Sequence, residues 1–145
     1  MPNETMASKT VKDLLTAQWD SGNVTAPTFF DLNDATTPIR INLRTADYLV
    51  ITLDRIQYDP IGTWIYGHER TQIAIEVYTK DSRQRLYNLA RETRRVCNDR
   101  IHSVTGYQRI QYQSFNEMID TPQDLWIGRI SIELLNSATI RNTSD

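Results

Sequence analysis

The 145-residue sequence predicts an α+β fold: a four- to five-stranded, mostly antiparallel sheet with two helices packed on one face. Two segments carry apolar residues at helical spacing, and several others alternate apolar and polar residues as strands do. The order helix, strands, helix, strands favours helices segregated to one face of a sheet. We expect a single domain over residues 8–135, with a flexible N-terminus at 1–7 and a flexible C-terminal tail at 136–145.

The first helix is predicted from Ser8 to Asp20, with Ser8 or Thr10 as its N-cap. One face of this helix carries the spaced residues Val11, Leu14, Leu15, Gln18 and Trp19. A long loop at 21–47 follows, with possible extended pieces at Thr28–Leu32 and Ile39–Leu43. Loops of this length are usually functional or disordered, and in an assembly protein this one would be an arm that reaches a neighbour.

Strands are predicted next, from Tyr48 to Tyr58 and from Thr71 to Thr79. The alternation in the first of them changes phase at Asp54-Arg55, which indicates a β-bulge. Between them, Asp59-Pro60-Ile61-Gly62 has the composition of a turn, and Thr63–Tyr66 is expected to be extended. In the second strand, the inward positions are Ile73, Ile75 and Val77.

The second helix is predicted from Ser82 to Ser103, capped by Asp81 or Ser82 and ended by Gly106. Its buried stripe is Leu86, Leu89, Ala90, Thr93, Cys97, Ile101 and Val104. The opposite side, expected to meet water or a partner, carries Arg85, Asn88, Arg91, Glu92, Arg95 and Asp99.

Two strands complete the predicted domain. Tyr107–Phe115 places Ile110 inward, together with Tyr112, and a loop at Asp120–Asp124 leads to the last strand, Leu125–Leu135. Gly128 is expected to thin this last strand where a helix crosses it.

Composition excludes several classes of protein. The single cysteine cannot form an intramolecular disulfide, and no stretch approaches the roughly 18 apolar residues of a membrane span. The N-terminal segment has no apolar core of a secretory signal, so we expect synthesis and folding in the cytoplasm, with no membrane partner.

Charge is unevenly distributed along the chain. Residues 69–109 hold nine basic and five acidic residues, a balance of plus four, and the remainder balances to minus six. Such asymmetry suits head-to-tail self-association, in which one face meets a differently charged one. A solvated, mixed-charge helix would produce the same asymmetry.

No catalytic, metal or cofactor motif is apparent, and we expect a protein that is not an enzyme. His68 and His102 have no carboxylate or thiol at metal-ligand spacing, and the five glycines are too dispersed for a phosphate loop. Cys97 lies on the buried stripe of the second helix, where a reactive thiolate is disfavoured.

Two other functions remain as minor alternatives. Asp54, Glu76 and Lys80 superficially resemble a metal-dependent nuclease, but Tyr78 occupies the position where the lysine is usual. Separately, the basic residues Arg91, Arg94, Arg95 and Arg100 could contact phosphates, although neighbouring acids make a protein interface the better interpretation.

The chain from Tyr48 to Leu135 resembles the tail terminator or tail-completion proteins of long-tailed phages and related viruses. The resemblance rests on the order of its segments. An amphipathic helix (TVKDLLTAQWD) and an extended pair precede a strand running into a long helix, TQIAIEVYTKDSRQRLYNLARETRRVCNDRI. GYQRIQYQSF, the acidic loop MIDTPQD and the closing strand LWIGRISIELL complete the set.

The resemblance implies a structural virion protein that forms a ring, usually a hexamer, at the neck. Such a ring caps the tail tube protein and offers a docking face to the head–tail connector protein. Genomic DNA passes through its lumen without sequence-specific contacts. The sheet would line or edge the ring, with the helices outside. Another neck protein of the same virion would fit the pattern almost as well.

Ring closure requires one heterologous interface repeated by rotation. We predict that its basic side is formed by Arg91, Arg94 and Arg95. The candidates for its acidic side are Asp31, Asp34 and Asp47 in the long loop, or Glu117, Asp120 and Asp124.

Overall fold

A computed structural model describes residues 6–33, 47–61, 66–104, 106–118 and 125–136, with side chains at all of these except 59–61, 66 and 67. In chain order the elements are α1 Ala7–Gln18, β1 Thr28–Asp31, β2 Tyr48–Ile61, β3 Tyr66–Thr79, α2 Arg83–Asp99, β4 Arg109–Met118 and β5 Trp126–Asn136. The predicted pieces at Ile39–Leu43, 63–65 and Asp120–Asp124, together with most of both terminal segments, lie outside the described residues.

The predicted fold class is confirmed. Five strands form one sheet in the order β1-β2-β3-β5-β4. Among the strand pairs of the described residues, β1–β2 is parallel and the other three are antiparallel. α1 packs against β1 and β2, whereas α2 packs against β3, β5 and β4, so the two helices share one face of the sheet.

The core lies between the helices and one face of the sheet, hereafter the helix face. Strict alternation along the strands aligns apolar positions across the pairs, as in the row Leu53, Ile73 and Ile132. From the helices, Val11, Leu15 and a stripe of α2 complete a single hydrophobic cluster. Burial of these side chains against the sheet is the main stabilising contribution, at about 1.5–3 kcal/mol for each large one.

α2 begins where its sequence predicts and ends earlier. Ser82 is the N-cap, and its hydroxyl accepts a hydrogen bond from the Arg85 backbone N–H at 3.0 Å. The helix ends at Asp99 rather than near Ser103, so Ile101 lies in the turn that follows and Val104 lies after that turn. Gly106, with φ of 89°, therefore serves the connection to β4 and not the helix end.

The predicted cap of α1 is wrong. The helix begins at Ala7, and its N-cap is Met6, which has no side-chain cap. Ser8 is completely buried, and the Thr10 hydroxyl donates to the Met6 carbonyl at 3.3 Å. Ala7 belongs to the core cluster, and burial of apolar residues of α1 in this cluster can outweigh a capping preference of about 1 kcal/mol.

The turn predicted at Asp59 to Gly62 is also wrong in its first three residues. β2 continues to Ile61, with Pro60 paired to Gly67 and Ile61 to Tyr66, so β2 and β3 form a long hairpin. A proline is tolerated at position 60 because β1 pairs only with Tyr48–Ile51, so this part of β2 has no described strand on its outer side, as on an edge strand. The predicted bulge near Asp54 is confirmed, with the register shifting between Leu53 and Arg55.

Gly128 makes room for an aromatic ring and not for a helix. A Cβ at this position would lie 2.3 Å and 2.6 Å from Cε1 and Cζ of Phe115, on the adjacent strand β4. The glycine thus permits the Phe115 ring to lie over β5 while it packs against the core.

Candidate interaction surfaces

Glu92 of α2 is the centre of a charged cluster between the two helices. Its side chain is almost completely buried, and its two carboxylate oxygens accept hydrogen bonds from Arg95 Nε at 2.9 Å and Nη2 at 2.6 Å. The backbone N–H of Asp20, just beyond α1, donates to the same carboxylate at 2.9 Å. A bidentate arginine and a backbone donor together satisfy this buried charge.

The placement of Glu92 on a solvent-facing side of α2 is therefore wrong. Burial by itself raises the pKa of Glu92. The hydrogen bonds from Arg95 and from the Asp20 backbone lower this pKa, and together they outweigh burial, so the net pKa falls below the usual value. The sequence shows the pair Glu92 and Arg95, three residues apart on one helix, but this spacing occurs in exposed pairs as well and does not indicate burial. Val96 was also missed and is fully buried.

Arg95 connects α2 to the end of α1. In addition to Glu92 it donates to the Gln18 carbonyl at 2.8 Å and to Asp99 Oδ2 at 2.8 Å. Arg100 donates to Gln18 Oε1 at 2.7 Å. The Arg95 guanidinium therefore donates four hydrogen bonds within the subunit.

A second cluster connects the residues that precede β1 with the residue that precedes β2. Asp47 Oδ1 accepts from the Thr79 hydroxyl at 2.6 Å, and Oδ2 accepts from Arg85 Nε at 2.7 Å. Arg85 also donates to the Thr25 carbonyl at 2.6 Å, and the Thr28 N–H donates to the Asp47 carbonyl at 2.8 Å. Residues 25–28 and 47 are thereby held beside the N-terminus of α2.

Arg91 and Arg94, unlike Arg85 and Arg95, have exposed side chains. Neither makes a hydrogen bond or ion pair with any residue in the described parts of the chain. Arg91 borders an open cleft of about 390 Å³ between α2 and the turn after α1, which is lined by Asn23, Val24, Asn88, Arg91, Glu92 and Arg95.

The predicted acidic partners occupy varied positions. Asp31 is buried at the end of β1, where Oδ1 accepts from the Asn33 N–H at 3.0 Å. Glu117 accepts from Arg83 Nε and from the Tyr87 hydroxyl, each at 2.9 Å. Asp34, Asp120 and Asp124 lie outside the described residues. Asp31, Asp47 and Glu117 thus already have partners within the subunit.

The face of the sheet away from the helices, hereafter the open face, carries mixed charges. Glu133 is buried there, with Gln72 Nε2 donating to it at 3.0 Å and with Arg70 and Arg109 each 3.7 Å away. The two arginines lie on either side of Leu135 in the strand register. This end of the open face is therefore positive overall.

Arg129 lies between the acids of the nuclease alternative. Its guanidinium is 3.8 Å from Asp54 and 4.0 Å from Glu76, and the Tyr78 hydroxyl donates to Glu76 at 2.9 Å. A magnesium ion would have to compete with this guanidinium for the same carboxylates. Lys80 lies beyond the end of β3. Asp54 and Glu76 are therefore paired with Arg129 in a charged cluster on the surface.

Cys97 and His102 are two further side chains of a type that can take part in catalysis or bind metal. Burial raises the pKa of the Cys97 thiol to about 12, so it is not a nucleophile at neutral pH. His102 Nδ1 lies 3.2 Å from the Gln108 carbonyl. No group of three or more His, Cys, Asp or Glu side chains positioned for a metal occurs among the described residues.

Large apolar side chains are exposed at both edges of the sheet. Ile56 and Tyr58 on β2 are 56% and 44% exposed, and Tyr87 on α2, beside β4, is 37% exposed. Tyr87 contacts Phe115 edge to face at 5.5 Å between ring centroids. None of the helices in the described ranges is long and apolar enough to cross a lipid bilayer.

Similarity to known proteins is found at the level of the fold. No protein-family model and no curated protein sequence matches the chain. Among solved structures, a chain in the virion of a native gene transfer agent (GTA) particle has a similar fold, with a TM-score of 0.62. The match covers 91% of this chain and 95% of the other at 9% sequence identity, so the similarity is one of fold.

Proposed function

We propose that this chain is a structural protein of a phage-like virion and, within the virion, a tail terminator. The observation that supports this most directly is the fold similarity to a chain of the gene transfer agent virion, which extends over nearly the full length of both chains. The order of segments in the sequence suggests the same class of protein.

In this role the protein forms a ring, as a hexamer, in the tail or neck of the virion. The ring contacts the tail tube protein on one side and the head–tail connector protein on the other. Genomic DNA passes through the lumen. Of the predicted interface residues, Arg91 and Arg94 are exposed and make no hydrogen bond to the described residues. They are therefore better candidates than Arg95 for contacts between proteins.

The open face suits a position at the edge or lumen of such a ring. Its charges are paired as Glu133 with Arg70 and Arg109, and as Arg129 with two acids, which leaves a polar surface of mixed sign. Mixed charge attracts DNA weakly compared with a basic groove, and passage requires weak binding.

A head–tail connector or another neck protein is the alternative within the same virion. It would share the fold and the ring, but it would bind on the head side of the neck and not at the tail tube. A metal-dependent nucleic-acid-processing enzyme is the minor alternative, and it would require Asp54 and Glu76 to bind a divalent ion in place of Arg129.

Negative-stain electron microscopy of the purified protein is the primary test. We expect rings of uniform diameter that bind the ends of tail tubes assembled from the tail tube protein of the same virus. Rings that bind the connector protein but do not bind the ends of tail tubes would favour the alternative neck role. A protein that forms no rings, and that binds magnesium in a calorimetric titration abolished by Glu76→Gln, would overturn the proposal in favour of the enzyme.

A further inference from the structure

The open cleft of about 390 Å³ beside Arg91 has one wall from α2 and one from the turn after α1. The turn contributes Asn23 and Val24. The helix wall consists of polar residues spaced at i, i+3, i+4 and i+7, and therefore on one side of α2: Asn88, Arg91, Glu92 and Arg95. Concave sites at which a few polar groups converge are the usual places for binding another molecule.

Hydrogen bonds within the turn hold its wall of the cleft in place. The Asp20 carbonyl accepts from the N–H groups of Asn23 at 3.1 Å and Val24 at 3.0 Å. Trp19 Nε1 donates to the Val24 carbonyl at 2.8 Å, and Asp20 Oδ1 accepts from the Gly22 N–H at 3.0 Å. Because these bonds lie within the subunit, this wall is preorganised, and little conformational entropy is lost when a partner binds against it.

Among the described residues that line the cleft, Glu92 is the only acid, and its charge is compensated. Its carboxylate accepts from Arg95 at 2.9 Å and 2.6 Å and from the Asp20 N–H at 2.9 Å. Asp99 also pairs with Arg95, but it does not line the cleft, and its side chain is 60% exposed, so water screens it. Two arginines against one glutamate leave the lining with an excess of positive charge.

Two residues of the helix wall have unused hydrogen-bond donors. Arg91 is exposed and has no hydrogen bond or ion pair within the described parts of the chain. Asn88 accepts from Gln84 Nε2 at 2.9 Å through Oδ1, and its own amide N–H groups have no partner among the described residues. A guanidinium and an amide thus border the same cleft, three residues apart on α2.

These donors fit a carboxylate. A guanidinium binds a carboxylate through two parallel N–H groups, and a neighbouring amide can donate a further bond. A phosphate backbone fits less well because nucleic acids are bound by several cations together, whereas Glu92 and Asp99 lie beside Arg95 here. A metal cation fits least, since Arg91 repels it.

We propose that this cleft binds the carboxylate of an aspartate or glutamate side chain of a partner protein, with Arg91 and Asn88 as the donors. Arg94 is also exposed on α2, but it does not line the cleft and is not part of the site. The inference rests on the proposed function in one respect, namely that the partner is a neighbouring protein of the virion. A bidentate contact fixes the orientation of that partner as well as adding affinity.

The first test measures the binding of an acidic probe. An end-blocked tetraglutamate peptide is titrated into the isotope-labelled protein, and NMR follows the Asn88 amide and the Arg91 Nε–H. We expect saturable shifts of both signals, and Arg91→Ala should weaken binding about tenfold, as for loss of one charged hydrogen-bonded contact. Arg94→Ala removes the same charge outside the cleft and should change binding less than about twofold. Equal effects of the two variants, or an unshifted Asn88 amide, would overturn the inference.

The second test places a competing charge inside the cleft. Asn88→Asp keeps an oxygen for Gln84 but replaces the amide donor by a carboxylate, so peptide binding should fall about tenfold or more. Asn98→Asp adds the same charge at an exposed position of α2 outside the cleft and should leave binding within about twofold of wild type. Circular dichroism checks that every variant keeps the wild-type fold. Wild-type affinity in Asn88→Asp would contradict the assignment of the site.

Further titrations distinguish a carboxylate from a phosphate. Inorganic phosphate or duplex DNA, at the same ionic strength, should shift the Asn88 and Arg91 signals only at higher concentration than the peptide. If either of them binds more tightly than the peptide, the inference fails in favour of a phosphate site.

These titrations need no ring, so they separate the inference from the proposed function. A peptide that does not bind disproves the carboxylate site and leaves the tail-terminator proposal intact. A wild-type protein that binds the peptide as expected, but forms no rings and binds no tube ends, disproves the tail-terminator role and leaves the carboxylate site standing.

Discussion

Arg85 and Arg95 differ from Arg91 and Arg94 in what they contact, although all four belong to α2. The first two donate to Asp47 and to Glu92, in clusters that hold α1 and the segment before β2 against the helix. The other two are exposed and have no such bonds in the described part of the chain.

The difference shows that a run of arginines is not one surface. Arginines that face a neighbouring element stabilise the fold of the subunit, whereas those that face solvent can bind other molecules. Charge reversal at the first group would change folding and assembly together, and reversal at the second would test assembly alone. Four predictions sharpen this distinction, in order of decreasing effect.

Removing Glu92 should have the largest effect. Glu92→Ala leaves Arg95 and the Asp20 N–H without their buried acceptor, and we expect the free energy of unfolding to fall by about 2–4 kcal/mol. Urea denaturation measures it. Asp13→Ala, which breaks the exposed pair with Lys9 at 2.9 Å, is the control and should cost less than about 0.5 kcal/mol. Equal effects would show that the Glu92 cluster is not a structural element.

Removing Asp47 should have an intermediate effect. Asp47→Ala deprives the Thr79 hydroxyl and Arg85 of their acceptor, and we expect a loss of about 1–3 kcal/mol in unfolding free energy. Asp47→Asn keeps an oxygen acceptor and should recover part of the loss. If the alanine and asparagine variants both match the wild type, residues 25–28 and 47 are held by other contacts.

The contribution of Glu92 should depend on pH in a defined direction. Because its pKa is lowered in the folded state, the unfolded chain binds a proton more readily, so this contribution is fully present above the ordinary glutamate pKa of about 4.3. It is lost as pH falls through the lower, folded-state pKa. The stability difference between wild type and Glu92→Gln should therefore shrink on acidification. A difference that grows in acid would contradict the assignment.

Reversing Arg91 should have the smallest effect on stability. Arg91→Glu changes an exposed side chain, and we expect the unfolding free energy to stay within about 0.5 kcal/mol of wild type. Arg95→Glu, its matched reversal four residues away on α2, should unfold much more easily. Any loss of ring assembly in Arg91→Glu can then be attributed to the surface. A large loss of stability in this variant would mean that Arg91 has a structural partner.

Much of the fold could be predicted from the sequence because it depends on local spacing. The stripe of α2, its Ser82 cap, the bulge near Asp54 and the inward set of β3 follow from periodicities of 3.6 and 2 residues. The site could be predicted less well. Arginine and glutamate have the same local pattern whether they are exposed or paired, so the burial of Glu92 could not be distinguished from exposure.

The sequence alone determined the class of fold, most helix and strand positions and the lack of a recognisable catalytic motif, because these depend on patterns within a short stretch of chain. Tertiary structure decided which charges are paired, where β2 and β3 turn, and why Gly128 must be small. Each of these depends on residues distant in sequence: Asp20 meets Glu92, Ile61 pairs across a hairpin and Phe115 lies over Gly128. Burial energies from such contacts exceed the local preferences that the sequence displays.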